Sequence, residues 1–238
     1  SASQYPPARD SEMDEEGQIS VEFQELEAQV EEAIADRNTL DEFEGRSVLV
    51  QAYLKAAQPG RAIVHCKALV ELITRVEGSE SEKLMTWRGF LGQALTAARR
   101  YSEAAEVLSE LLVDRERIFG SDHRQTLATR GNLSRVQAFG GRIEEGILLA
   151  ERLLDDRRRL FGDLDPTVLD TLGHLAQFHS LAGNHESAVQ LAEEQLEKRL
   201  RVCEENDPIL ERTRQNLAVF RSWTVTPAEA IPEFRDRV

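Results

Sequence analysis

The stretch 120–133, GSDHRQTLATRGNL, returns 42 residues later as GDLDPTVLDTLGHL (162–175) and again as EENDPILERTRQNL (204–217). A period of this size limits the fold more than composition does, because a unit that cannot bury its own apolar face must stack on its neighbours. Stacked repeats present surface, so the period points to binding before it points to chemistry.

The columns of this alignment carry the packing. One reads Leu49, Leu91, Leu133, Leu175, Leu217, and the next Val50, Gly92, Ser134, Ala176, Ala218. A large residue followed by a small one lets a neighbouring helix approach closely. A second small column, Ala62, Ala104, Gly146 and Ala188, marks where the two helices of a unit cross, and Leu69, Leu111, Leu153 and Gln195 follow seven residues later. Asp165-Pro166 and Asp207-Pro208 read as helix starts, an N-cap acid before a proline suited to the first helical position. Ser102 and Asn184 are candidate caps of the second helices. Pro59-Gly60, Gly140-Gly141 and Gly183 mark turns within units. Arg115, Arg117, Arg157 to Arg159, Arg199 and Arg201, near the ends of second helices, read as a solvated face that complements the negative helix ends.

In this register the chain divides into an acidic leader, 1–19, expected to be disordered, and an array, 20–223. The array comprises a half unit at 20–35, units at 36–77, 78–119, 120–161 and 162–203, and a capping helix at 204–223, with a tail at 224–238 read as a linker or disordered end. The helix from Ser20 occupies the second-helix slot of a unit without a first helix. Helix formers dominate and strand signals are sparse, so the expected class is all-α.

Charge narrows the function classes. The formal net charge is −14, and residues 1–44 hold fourteen acids against Arg9 and Arg37. No basic stripe with interleaved aromatics appears, which argues against nucleic acid and against an anionic membrane surface. Only Cys66 and Cys203 are present, without CxxC spacing, which fits a reducing, cytoplasmic setting. No phosphate loop, HExxH, GxSxG or acidic calcium loop is found. The five histidines are too dispersed for metal-ligand spacing. The chain therefore reads as non-catalytic, with no cofactor and no metal.

At these columns the chain resembles tetratricopeptide-repeat (TPR) proteins of the 42-residue, kinesin-light-chain-like type. Those carry Gly-x-Asp-His-Pro-x-Thr-Leu-x-Thr-x-x-Asn-Leu-Ala, then Gly-Arg/Lys-x-x-Glu-Ala and an Arg-rich helix end. The matching residues are Gly120, Asp122, His123, Thr126, Leu127, Thr129, Asn132, Leu133, Gly141, Arg142 and Glu145, with RERIFG and RRRLFG before the repeated segment. Arg124 stands where the pattern has Pro, His174 replaces Asn, and unit 36–77 lacks the Asp-His-Pro segment. The resemblance, over 36–223, implies an all-α, right-handed superhelical α-solenoid of antiparallel helix pairs whose first helices line a concave groove. Its groove columns fall here on Val48, Phe90, Asn132, His174 and Asn216, with Gln51, Gln93, Arg135 and Gln177 one turn on and Thr86, Asp170 and Arg212 one turn before.

The binding groove is thus expected at Phe90, Gln93, Asn132, Arg135, His174, Gln177, Arg212 and Asn216. Amide side chains there suit the donors and acceptors of an extended peptide, Phe90 an apolar anchor and Arg135 a carboxylate. The expected function is a protein- or peptide-binding scaffold. An alternative is the sensor or regulatory part of a larger signalling or transcription-control protein, acting through self-association. A homodimer through the end helices, using Trp223 or Val21, Phe23 and Leu26, is the corresponding partner expectation.

Overall fold

The computed structural model describes the backbone of residues 11–224 and the side chains from Phe23 onward. Residues 1–10 of the leader and the tail from 225 lie outside the described residues, and with them most of the two stretches read as disordered.

Among the described residues every regular element is a helix. They cluster into two units, the chain passing from one to the other at Ala98/Arg99, inside sequence unit 78–119. The first unit holds α1 (Ser11–Ala35), α2 (Thr39–Lys55), α3 (Pro59–Glu77) and α4 (Glu82–Ala97). The second holds α5 (Tyr101–Phe119), α6 (Arg124–Phe139), α7 (Ile143–Phe161), α8 (Pro166–Leu181), α9 (His185–Leu200) and α10 (Pro208–Thr224). Within each unit every helix packs on the next in sequence. None is long and apolar enough to cross a membrane.

Helix α1 starts at Ser11, well before the start read at Ser20. Its first turns, SEMDEEGQ, are short of apolar residues but rich in acids, which favour a helix N-terminus.

First helices α4, α6, α8 and α10 start on one column: the side chains of Ser81, His123, Asp165 and Asp207 accept from the amides of Lys83, Gln125, Thr167 and Ile209 at 3.2, 3.3, 2.8 and 2.9 Å. Second helices behave differently. Asn184 makes no side-chain cap and Ser102 lies inside α5, so both expected caps are absent. The reason is backbone geometry. At Gln58, Arg142 and Asn184 ψ is near 61–65°, and their amides close the preceding helix by bonding the carbonyls of Tyr53, Gln137 and His179 at 2.8–2.9 Å. This Schellman arrangement requires a left-handed residue just before. That residue is Ala57 (φ 54°), Arg99 (57°), Gly141 (93°) and Gly183 (79°), one per period. The turn read at Pro59-Gly60 is therefore Ala56 to Gln58, and Pro59 is the first residue of α3.

Links between units use another glycine column, Gly78, Gly120 and Gly162, at φ 84–88°. Asp36 holds that place after α1, and the chain turns instead at Arg37 (φ 56°), with the Asn38 amide bonded to the Ala33 carbonyl. The α1–α2 connection is thus built like the tight turn inside a unit. This is where unit 36–77 departs from the pattern.

The seams fill as the columns require. Leu49, Leu91, Leu133, Leu175 and Leu217 are buried, as are Ala62, Ala104, Gly146 and Ala188. A Cβ on Gly146 would lie 2.7 Å from Ala138 Cβ and 2.8 Å from the Ser134 carbonyl, so the α6–α7 crossing admits no side chain. Gln195, the polar member of its column, is buried and donates to the Leu169 carbonyl at 2.8 Å. Gly173 leaves it space, since a Cβ there would meet Gln195 Nε2 at 2.5 Å.

Candidate binding groove

In the second unit, first helices α6 and α8 place side chains of the expected groove columns on either side of a cleft of about 160 Å³. Asn132 and Arg135 come from α6, and Asp170 and His174 from α8, one turn apart in each case. Arg157 of α7 reaches its floor beside Gly131, where a Cβ would stand 3.6 Å from Arg157 Nη2. The small residues Ala128, Gly131 and Ser134 leave the space open.

The electrostatics of the cleft are set by four groups. Arg135 forms no ion pair among the described residues. Burial, reinforced by the Arg135 guanidinium, lowers the His174 pKa to about 4, so its imidazole is neutral at physiological pH. It stacks on Phe178 with ring centroids 6.3 Å apart and can still donate from one nitrogen and accept at the other. Asp170 is tied at 2.8 Å to Arg199 Nη2, a guanidinium buried at the α8–α9 seam. The cleft therefore offers two cations without an ion pair, Arg135 at its side and Arg157 hydrogen-bonded in its floor, one carboxylate held to the side, and neutral donors and acceptors from Asn132 and His174.

The arginine column does more than the sequence reading allowed. Arg115 Nη1 donates to the Gln125 carbonyl at 3.1 Å and to Thr129 Oγ1 at 2.6 Å. One period on, Arg157 Nη1 donates to the Thr167 carbonyl at 3.1 Å and to Thr171 Oγ1 at 2.7 Å. Each guanidinium thus clamps a second helix to the first turns of the next helix, and Arg115 and Arg199 are buried rather than solvated. The helix-end reading fails for these three. Arg158 and Arg159 fit it better, pairing with Glu194 and Asp163 and with Asp122 and Asp156. The signal available in the sequence was a Thr column, Thr129, Thr171 and Thr213, fourteen residues after Arg115, Arg157 and Arg199, of which the first two are bonded to their Thr.

The other expected groove residues lie elsewhere. Gln177 and Asn216 are half-buried and Arg212 is exposed, all outside the lining of this cleft. Phe90 and Gln93 belong to the first unit. There Phe90 is half-buried against Trp87 at 5.0 Å, Trp87 meets Phe43 edge-on at 6.0 Å, and Gln93 is exposed. Val48, in the column of Phe90, is half exposed. This unit thus presents Val48 and the half-buried Phe90, with Trp87 buried behind it, whereas the α6–α8 cleft is polar. No group of three or more His, Cys, Asp or Glu side chains able to hold a metal occurs among the described residues.

The model of a tetratricopeptide repeat matches residues 84–125 and 168–209, two windows of one period each. Among solved structures, the kinesin light chain TPR-like repeats of Podosopora anserina superpose with a TM-score of 0.67 at 20% identity, covering 79% of this chain and 90% of that one. BtubC (BKLC) from P. vanneervenii gives a TM-score of 0.68 at 18% identity, covering 87% of this chain and 84% of that one. Comparison with curated proteins gave no match.

Proposed function

We infer that this tetratricopeptide-repeat protein is a non-catalytic, cytoplasmic scaffold that binds an extended segment of a protein partner along its first helices. The observation that carries this reading is the α6–α8 cleft, where the unpaired Arg135 stands beside Asn132 and the neutral His174. An acidic side chain of the peptide would pair with Arg135, and its backbone amides and carbonyls would bond Asn132 and His174. The neutrality of His174 matters here, because an imidazolium could not accept from a peptide N–H. In the first unit, taken by itself, Phe90 and the exposed Val48 offer an apolar residue a place to rest.

The test is binding of an immobilised library of extended peptides that vary in acidic and aromatic content, read with wild-type protein and Asn132→Ala/Arg135→Ala. Selection of acidic peptides by the wild type, lost in the variant and weakened by salt, is expected. Equal binding by both proteins would overturn the assignment of the cleft.

A further inference from the structure

Arg157 of α7 and Arg199 of α9 hold the same place in successive periods. At Arg199, Nη2 donates to the Asp170 carboxylate of α8 at 2.8 Å. One period earlier the residue in the column of Asp170 is Ala128, which is exposed and lines the α6–α8 cleft. Arg157 therefore has no carboxylate in the corresponding place. Its Nη1 is committed to the Thr167 carbonyl and the Thr171 hydroxyl, while Nη2 makes no hydrogen bond among the described residues. The glycine column differs in the same sense. Gln195 fills the space at Gly173, whereas at Gly131, in the lining of the cleft, a Cβ would meet Leu153 at 3.2 Å and Arg157 Nη2 at 3.6 Å. No side chain from Gly131 covers that edge of the guanidinium.

We propose that the α6–α8 cleft is a carboxylate-binding subsite, in which a ligand carboxylate takes, beside Arg157 Nη2, the place that Asp170 takes beside Arg199. The assignment rests on the peptide-groove reading above and names the group recognised there. Arg135, in the same cleft and without an ion pair, adds the second positive charge, and Asn132 and the neutral His174 add hydrogen-bond donors. Burial lowers the Arg157 pKa, with Asp170 and Asp165 opposing. The guanidinium stays charged but is short of solvent, and a bonded counter-ion relieves that cost.

A carboxylate suits the cleft better than a phosphate dianion. Asp170 lines it too and repels excess negative charge, and the space is only about 160 Å³. The carboxylate can come from an acidic side chain or from a chain terminus, since both present the same planar pair of oxygens to the guanidinium. The period also supplies the discriminating substitution. Ala128→Asp installs the residue of the next period, so its carboxylate should bond Arg157 and occupy the subsite from within. Ala128→Asn is of the same size and uncharged.

The test is NMR of the arginine Nε–H groups in the full chain during titration with small capped acids. N-acetylglutamate N-methylamide offers a side-chain carboxylate, N-acetylglycine a terminal one, and N-acetylglutamine N-methylamide neither. A saturable shift of the Arg157 signal with the acids and not with the glutamine compound is expected, and the tighter acid identifies the source. Ala128→Asp should weaken that binding about tenfold or more, whereas Ala128→Asn should stay close to wild type. Ala128→Asp should also unfold at a higher urea concentration than Ala128→Asn at pH 7. No shift at Arg157, equal binding by Ala128→Asp, or equal urea midpoints would overturn the proposal. Peptide binding lost in Asn132→Ala/Arg135→Ala but kept in Ala128→Asp would remove the subsite and leave the groove reading standing. Acids that shift Arg157 when no extended peptide is selected would uphold the subsite and overturn the peptide reading.

Discussion

His174 is neutral because burial and Arg135 lower its pKa to about 4. In the unfolded chain a histidine titrates near 6.5. Between those values the unfolded state binds a proton that the folded state refuses, so stability is whole above pH ~6.5 and falls as the pH drops toward 4. The loss is at most about 1.4 kcal/mol per pH unit, or roughly 2.5 kcal/mol between pH 7.5 and 4.5. Arg135, Arg157 and Asp170 are the charged groups that bear on the ring. His174→Asn installs the residue that the same column carries at Asn132 and Asn216. It removes the titration and also the ring stacked on Phe178, so at pH 7.5 it should destabilise by about 1 kcal/mol. At pH 4.5 the variant should match or exceed the wild type. The assay is urea denaturation of both proteins at several pH values. Acid-labile carboxylates such as Asp122 and Asp163, each held low by a basic partner, titrate alike in both and cancel in the difference. Parallel stability curves would refute the argument.

The backbone gives further expectations. Ala57→Gly and Arg99→Gly should each stabilise by about 0.5–1 kcal/mol, since both residues hold left-handed φ angles that cost L-residues energy; a lower melting temperature in either would contradict this. Gly146→Ala should destabilise by about 1–3 kcal/mol, because its Cβ meets backbone that cannot yield, and Ala188→Leu should cost a similar amount by overpacking the next crossing. An unchanged urea midpoint in these two would show the crossing register to be wrong. Arg157→Met should cost about 1–3 kcal/mol by releasing the Thr167 carbonyl and Thr171 hydroxyl, and Arg157→Lys should not restore it because an ammonium lacks the guanidinium fork. Full stability in the lysine variant would show the clamp to be plain charge.

The fold was legible because each seam demands the same side-chain size at the same place in every period. Leu133 and Gly146 could be assigned to a seam and a crossing from their columns alone. The second-helix caps were misread because Ser102 and Asn184 are suitable residue types, whereas their orientation depends on a left-handed turn that sequence shows only at Gly141 and Gly183. Ala57 and Arg99 adopt the same turn against their own preference, so tertiary packing decides it there. The arginine clamps escaped notice for a related reason: Arg157 has acids nearby in sequence, but its actual partners lie ten and fourteen residues on, across an inter-unit turn. Within the site, Asn132, Arg135 and His174 were placed by the repeat columns. That Arg157 lines the same cleft and that His174 is neutral follow from packing, which no column records.

The turn column also orders the array by local stability. Two of its members, Ala57 and Arg99, are strained L-residues, as is Arg37 at the α1–α2 link, whereas Gly141 and Gly183 are relaxed. Where a helix pair is secured chiefly by its neighbours, such a difference lowers the local stability around the strained turns. Hydrogen exchange should therefore come sooner at the Ala57 turn than at the Gly141 and Gly183 turns of the pairs α6–α7 and α8–α9, which frame the polar cleft.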